Sequence, residues 1–299
     1  MALSALIENC LANHPECTLE GSLLPSMLLQ ISGTAIKPSV RLVKTVGVVE
    51  RPLRYVCLSY CWGGEKAGMT MSTRLGSYLA GIDTSLLPKT ILDAVRVTLN
   101  LGFGYLWVDA LCIVQDSGLD KGVELNKLSS IYAGTASTLC VMSTKIMTEG
   151  FLASPKPPKV RWWKKPTTWH VRLHDAEGDH TTILEVGSEQ SHSDLTDELL
   201  LSRAWTYQEA LLSPRLVMFF SESRRPAFRC SKGTLRTDGG MVLANPKAMM
   251  CLQDTVVGVR DTERRHKIHN EWSMIVKECS QRAVSFSEDR FPALMGVVT

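Results

Sequence analysis

Buried strands and amphipathic helices alternate through the middle of this chain. The segments Tyr55–Tyr60, Tyr105–Val114 and Ser137–Ser143 are apolar runs rich in strand-forming residues. Between them, Lys89–Leu101 and Lys121–Tyr132 carry apolar residues near helical spacing. Strands that alternate with helices are typical of a parallel sheet with helices on its faces. The pattern therefore predicts an α/β fold built on a mainly parallel sheet flanked by helices.

The sequence around this alternation divides into three predicted parts. Residues 1–50 form a lead-in with a short helix and one strand, and residues 51–220 form the core domain. Residues 150–198 are predicted to be a β-containing insertion, because a proline-rich stretch precedes strand-like segments that could pair as one or two hairpins. Residues 221–299 are predicted to be an extension packed on the core, with a helical tail over His266–Val284.

The composition restricts the class of protein. The chain has 299 residues, 44% of them hydrophobic, which is enough to bury a sizeable core. The formal net charge of +3 does not suggest a nucleic-acid binder, which would carry a clustered basic face. The first residues lack a basic signal-peptide region, and no apolar run approaches the ~18 residues of a transmembrane helix. We therefore expect a cytoplasmic protein without disulfides.

Three residues near the start have the types and spacing of metal ligands, Cys10, His14 and Cys17. A fourth ligand is not evident near them in the sequence. Packing or capping therefore explains them more simply, and we predict no metal site and no bound cofactor.

Three longer segments occur in a distinctive order. They are Tyr55–Gly63 (YVCLSYCWG), Leu87–Asp116 (LPKTILDAVRVTLNLGFGYLWVDALCIVQD, leading to a helix that ends in IYAGTAST) and Leu201–Arg215 (LSRAWTYQEALLSPR). The tail Asp289–Gly296 (DRFPALMG) follows them. In order and spacing these segments resemble the signature blocks of the fungal heterokaryon-incompatibility (HET) family. The Cys-His-Cys lead-in is similar to a common start of that family.

The resemblance implies a role in fungal non-self recognition and regulated cell death. HET domains are thought to be distant relatives of TIR domains, some of which hydrolyse NAD with one glutamate on a helix beside the sheet. The run Leu58–Tyr60 is similar to the first strand of TIR domains. Trp205 and Glu209 keep the separation of the tryptophan and catalytic glutamate of many plant TIR domains, with Thr206 in place of a cysteine. The resemblance thus implies a flavodoxin-like or TIR-like arrangement.

Glu209 is the predicted catalytic residue, because a carboxylate could bind the ribose hydroxyls of NAD or stabilise an oxocarbenium-like centre as nicotinamide leaves. The alternatives are an ion pair with Arg203 or Arg215, or simple exposure. Asp109 lies inside the second apolar run, Tyr105–Val114, and is either a site residue or part of the scaffold. Asp116 follows that run, where ligands of open α/β sheets bind, but a turn or helix-capping role is a common alternative.

The remaining predicted substrate-binding residues lie in two blocks. Arg203 could bind a phosphate or carboxylate, or form a surface salt bridge. The amides of the Gly63–Gly64 turn could approach a phosphate, although no Gly-x-Gly-x-x-Gly or Walker pattern is present. An aromatic ring at Trp62 could stack on a base or pack in a loop. The full predicted substrate-binding set is Ser59, Tyr60, Trp62, Gly63, Asp109, Asp116, Arg203, Trp205 and Gln208.

Three functional hypotheses follow. The first is an NAD(P) glycohydrolase that takes NAD or NADP as substrate and requires self-association to assemble its site. The second is a non-enzymatic signalling module that oligomerises or binds a receptor or another partner protein of the HET system. The third is an accessory protein of a fungal metabolic pathway.

Overall fold

The fold was obtained as a computed structural model of the whole chain. It describes residues 3–17, 23–47, 53–64, 68–142, 144–152, 167–175, 178–186, 199–220, 226–236, 261–284 and 294. The tail segment predicted from the family resemblance, Asp289–Gly296, lies outside these residues except for Leu294.

Ten strands and eight α-helices make up the described residues. The strands are β1 (Met27–Gly33), β2 (Pro38–Lys44), β3 (Val56–Ser59), β4 (Tyr105–Trp107), β5 (Ser137–Val141), β6 (Thr167–Asp175), β7 (Gly178–Val186), β8 (Leu216–Phe219), β9 (Ala227–Cys230) and β10 (Gly233–Arg236). The helices are α1 (Leu3–Asn13), α2 (Ser72–Ala80), α3 (Lys89–Asn100), α4 (Asp109–Cys112), α5 (Gly118–Asn126), α6 (Leu128–Ala133), α7 (Ala204–Leu212) and α8 (Asp261–Ser280).

Eight of the strands form one mixed sheet in the order β10-β9-β8-β5-β3-β4-β1-β2. The four central strands, β8, β5, β3 and β4, pair in parallel, and the two strands at each edge pair antiparallel. This confirms the predicted α/β class with a parallel core. Counted in chain order among themselves, the parallel strands run 2-1-3-4, which is the order of flavodoxin-like sheets.

The parallel strands form the centre of the hydrophobic core. Every residue of β3, β4 and β5 is buried, as expected for strands covered on both faces. Helix α3 packs against β1 and β4, while α7 packs against α6 and β3. Strands from the lead-in (β1 and β2) and from beyond residue 220 (β9 and β10) extend this same sheet.

The second apolar run differs from the prediction of one strand over Tyr105–Val114. Strand β4 ends at Trp107, and the short helix α4 begins at Asp109. The Asp109 carboxylate accepts a hydrogen bond from the Ala110 amide, and the Gln115 side chain donates to the Asp109 carbonyl. Such local bonds compete with a sheet ladder and turn the chain away from it. Asp109 therefore lies beyond the end of a strand and not inside it.

The other predicted elements agree more closely. The predicted hairpin in the insertion is present as the two-stranded sheet β6–β7. The predicted helix Lys121–Tyr132 is divided into α5 and α6 at Lys127. None of the helices in the described ranges has the length and hydrophobicity needed to cross a membrane.

Candidate active site

Three elements of the core, β3, β4 and α7, meet at the carboxyl edge of the parallel strands. Ser59 ends β3, Asp109 follows β4, and α7 carries Glu209 across β3. Strand β3 has β4 on one side and β5 on the other. The chain therefore passes from β3 to β4 on one side and then crosses back to β5 on the other side, so that the strand order reverses at β3. In open α/β sheets, ligands bind in the crevice at this reversal point, outside the carboxyl ends of the strands. The fold thus places the predicted residues where this architecture binds ligands.

Glu209 is held in an environment that disfavours its charge. Its Oε2 atom is buried, while the residue as a whole keeps some contact with solvent. Burial is the main reason that the pKa of the Glu209 carboxyl rises to about 7, and the nearby charge of Asp109 raises it further. The hydroxyls of Ser59 and Tyr132 and the charge of Arg203 oppose this rise. A carboxyl with these neighbours exchanges a proton near neutral pH, as a catalytic acid or base must.

Asp109 forms the second carboxyl of the site. The Trp62 indole donates to its Oδ2 at 2.9 Å, and the Ala110 amide donates to its Oδ1 at 2.7 Å. Burial nevertheless raises the pKa of Asp109 to about 6, with Arg203 acting in the opposite direction. Two carboxyls that influence each other titrate as a pair. The site can therefore hold one proton and one negative charge near neutral pH.

Several buried polar atoms on the segments that carry the two carboxyls have no hydrogen bond of ordinary geometry within the described residues. These atoms, on or next to β3, β4 and α7, are Ser59 Oγ, Tyr60 OH, Trp107 Nε1, Gln208 Oε1 and Glu209 Oε2. The Ser59 and Tyr132 hydroxyls nevertheless lie close enough to Glu209 to lower its pKa. Buried polar groups are nearly always hydrogen-bonded in folded proteins, and a cluster of exceptions requires an explanation. A polar ligand that binds beside the two carboxyls would supply partners for Ser59 Oγ, Tyr60 OH and Glu209 Oε2.

Arg203 supplies positive charge to this region. It precedes α7, is partly buried, and donates from Nη1 to the Tyr60 carbonyl at 3.5 Å. Its charge lowers the pKa of both Asp109 and Glu209. The alternative partner of Glu209, Arg215, instead donates from Nε to Cys10 Sγ. Among the described residues, Arg203 is a cation whose charge acts on both carboxyls.

Gly63 and Gly64 form the turn that follows Trp62 in the chain. Both adopt positive φ angles, +73° and +80°. A Cβ atom on Gly63 would lie 2.0 Å from Ile146 Cγ2, whereas a Cβ atom on Gly64 would have nothing within 4 Å. The positive φ angle favours glycine at both positions. At Gly63 there is in addition no room for a side chain, whereas at Gly64 there is.

Substitution of these two glycines is expected to give unequal losses of stability. Gly64→Ala should cost about 1 kcal/mol, because only the left-handed conformation penalises it. Gly63→Ala should cost about 2–4 kcal/mol, because overpacking against Ile146 adds to the same penalty. Thermal and urea unfolding of the two variants check this, with Gly64→Ala as the matched control. Equal losses would contradict the close approach of Gly63 and Ile146.

Two predicted residues have other surroundings. The exposed Asp116 carboxylate accepts hydrogen bonds from the Ser72 amide at 2.8 Å and the Ser72 hydroxyl at 2.6 Å, at the first turn of α2. These bonds lower its pKa. Trp205 is partly buried and packs on the main hydrophobic core. The structure thus brings together Ser59, Tyr60, Trp62, Asp109, Arg203 and Glu209, and places Asp116 at the start of α2. Gln208 is buried next to Glu209 in the sequence of α7.

Tyr132 and Gln115 belong to the site but were not predicted from the sequence. Tyr132 is buried, packs edge-on against Trp107, and presents its phenol to Glu209. Gln115 donates to the Asp109 and Ile113 carbonyls and so fixes the turn that carries Asp109. Both residues lie in the segments that carried the family resemblance, which is the one signal that could have indicated them.

Comparison with known proteins identifies the class to which this α/β domain belongs. The family model of the heterokaryon incompatibility protein (HET) matches residues 55–209. This match covers more than half of the chain and includes every residue gathered around Glu209, so the protein belongs to the HET family. No curated protein and no solved structure matches the chain. Membership of the family indicates a role in heterokaryon incompatibility.

Proposed function

We propose that this HET protein is an NAD(P) glycohydrolase that acts in non-self recognition and regulated cell death. The observation that carries the proposal is the Glu209 carboxyl, whose pKa is raised to about 7 and which lies among buried polar atoms that lack hydrogen bonds of ordinary geometry. Polar groups held in this way are costly for folding and are typical of binding and catalytic sites. Their position at the carboxyl edge of the parallel strands suits a nucleotide ligand.

The proposed reaction splits the bond between nicotinamide and ribose. NAD and water give nicotinamide, ADP-ribose and a proton. The electron pair of the breaking C–N bond passes to the pyridine nitrogen, which neutralises the charge of the leaving nicotinamide. Positive charge develops at the ribose C1′ and ring oxygen, and a fixed carboxylate stabilises such a centre. Water then adds to C1′ and loses its proton to a carboxylate.

The neighbouring residues have distinct proposed roles. Ionised Glu209 faces the ribose, with the Ser59 and Tyr132 hydroxyls orienting its carboxylate. Asp109, fixed by the Trp62 indole, accepts the proton of the attacking water or binds a ribose hydroxyl. Arg203 and the amides of the Gly63–Gly64 turn provide positive charge and donors for the diphosphate.

The location of the protein and the proteins that activate it are also part of this proposal. We place the protein in the cytoplasm, where NAD and NADP are available as substrates. We further propose that self-association completes the site and that a receptor or another HET-system protein provides the trigger.

The purified protein is expected to release nicotinamide from NAD or NADP, with a rate that rises with pH. The carboxylate of Glu209 must be charged, so activity should increase through about pH 7 and approach a plateau above it. Chromatography of the products between about pH 5 and about pH 8.5, at several protein concentrations, measures both effects. A steeper than proportional dependence on protein concentration would support self-association. If neither dinucleotide is cleaved at any concentration, the glycohydrolase proposal is wrong and a binding module is the better account.

A further inference from the structure

Four metal-ligand side chains converge at the junction of the N-terminal helix and the sheet edge. They are Cys10, His14, Cys17 and Cys230, and their ligand atoms all lie within 4.8 Å of one another. The three cysteines are buried and His14 is partly buried. His14 and Cys230, separated by 216 positions in the chain, approach to 3.6 Å between Nδ1 and Sγ. This group is separate from the residues around Glu209.

The local fold orients the first three ligands toward a single point. Cys10 lies in the last turn of α1, and the His14 amide continues the helix by donating to the Cys10 carbonyl. A 3-10 turn over Pro15–Cys17 then brings Cys17 back, with its amide bonded to the His14 carbonyl. The spacing of four residues places Cys10 and His14 on the same side of this helical turn, and the 3-10 turn adds Cys17 to them.

The fourth ligand comes from the edge of the large sheet. Cys230 ends β9, at the turn into β10, and α1 packs against β9. An ion pair of 2.5 Å between Lys232 and Glu16 joins the same two segments beside the cluster. Two independent parts of the chain are therefore held in register around the four side chains.

The ligand set selects the type of metal. Three thiolates and one imidazole are a set that structural zinc sites use, in tetrahedral geometry. With bonds of about 2.0–2.3 Å, tetrahedral ligand atoms lie about 3.4–3.8 Å apart. The observed separation of at most 4.8 Å needs only small side-chain shifts to reach these distances. Hard cations such as Mg²⁺ and Ca²⁺ prefer oxygen ligands and do not suit this cluster.

The groups around the ligands balance the charge of such a site. Zinc with three thiolates and one neutral imidazole carries one net negative charge. The guanidinium of buried Arg215 donates from Nε to Cys10 Sγ at 3.2 Å and provides the opposite charge. Ser231 Oγ lies 2.7 Å from Cys17 Sγ and orients that sulfur. Hydrogen bonds of this kind to first-sphere ligands tune and stabilise metal sites.

We propose that Cys10, His14, Cys17 and Cys230 bind one structural zinc ion that fastens α1 to β9. All four positions of the tetrahedron are filled by protein, so the site holds metal without an open position for substrate. The ion ties the N-terminal segment to a strand from beyond the matched HET region. Its binding energy contributes directly to the stability of the fold.

Metal content and chelator sensitivity test this site. Wild-type protein expressed with added zinc, and Cys279→Ala as a control for loss of a different buried cysteine, are expected to contain one zinc ion per chain. Excess EDTA should lower the thermal unfolding midpoint of both by roughly 10 °C or more. Cys230→Ala should contain no stoichiometric zinc, and EDTA should leave its midpoint unchanged.

A second variant keeps the test decisive if Cys230→Ala fails to fold. His14→Cys preserves a tetrahedral ligand set and is expected to retain zinc, whereas His14→Ala should lose it. Replacement of zinc by Co²⁺ in the wild type should give the visible absorption bands of tetrahedral cobalt with thiolate ligands.

Wild-type protein that binds no zinc and does not respond to EDTA would overturn the proposal. So would zinc retained in full by Cys230→Ala, or thiol titration that finds these cysteines joined as a disulfide.

Discussion

Replacement of Glu209 by glutamine is expected to make the protein more stable at pH 8. The fold raises the pKa of Glu209 from 4.5 to about 7, chiefly by burial. A carboxyl with a raised pKa binds its proton more tightly in the folded than in the unfolded state. Its favourable contribution is therefore fully present below about pH 4.5 and is lost as the pH rises through about 7.

The size of the effect follows from this difference in pKa. Ionisation of the enclosed carboxyl should cost about 2 kcal/mol above pH 7, after allowance for its partial contact with solvent. Glutamine has nearly the same shape and cannot ionise, so Glu209→Gln should gain about 2 kcal/mol at pH 8, or roughly 4–8 °C in midpoint. The gain should disappear near pH 4.5. Asp109, with its pKa raised to about 6, should leave a smaller pH dependence in the variant.

Thermal and urea unfolding of wild type and Glu209→Gln between about pH 4 and about pH 8 measure this dependence. A variant that is less stable at every pH would mean that Glu209 makes a favourable structural bond. That outcome would contradict the enclosed, poorly satisfied carboxyl described above.

The same substitution is expected to remove nicotinamide release by at least about 100-fold in kcat/KM. Loss of a group that stabilises developing charge in a transition state typically has effects of this size. A glutamine amide carries no negative charge and so cannot stabilise the positive charge that develops at the ribose centre. Steady-state assays of NAD cleavage at pH 8, where wild-type Glu209 is largely ionised, give the ratio.

Glu124 provides the matched control for this loss. It is also a buried glutamate, but its carboxylate accepts from the Ser26 amide at 2.8 Å and lies 3.7 Å from the Lys127 ammonium. Glu124→Gln should therefore reduce stability while leaving NAD cleavage by the folded protein unchanged. An equal loss of cleavage in both variants would indicate a general effect of replacing buried glutamates.

The pattern of apolar residues predicted the helices and strands at the centre of the fold, because this pattern is strong there and agrees with the final structure. The helix predicted at Lys89–Leu101 is α3 (Lys89–Asn100), and the apolar run Ser137–Ser143 contains β5. The strand predicted over Tyr105–Val114 was wrong beyond Trp107. Hydrophobicity alone cannot distinguish a buried strand from one buried helical turn. The hydrogen bonds of Asp109 and Gln115, which decide the matter, depend on geometry that a one-dimensional pattern does not contain.

The site was predicted in part for a similar reason. Ser59 and Glu209 were found through short motifs, whereas Tyr132 has no motif of its own and reaches the site only because α6 packs on α7. Asp116 was predicted to bind substrate because it follows an apolar run, but its carboxylate accepts hydrogen bonds from the Ser72 hydroxyl and amide. The fourth member of the Cys-His-Cys group, Cys230, lies on a distant strand, so its proximity follows from sheet order alone.

One carboxyl, Glu209, is proposed both to lower the stability of the fold at pH 8 and to carry the cleavage of NAD. The decisive experiment measures the unfolding midpoint and nicotinamide release on the same samples of wild type and Glu209→Gln at pH 8. We expect opposite changes, a higher midpoint together with at least about 100-fold less nicotinamide. A lower midpoint with unchanged release, or no release by either protein, would contradict this proposal.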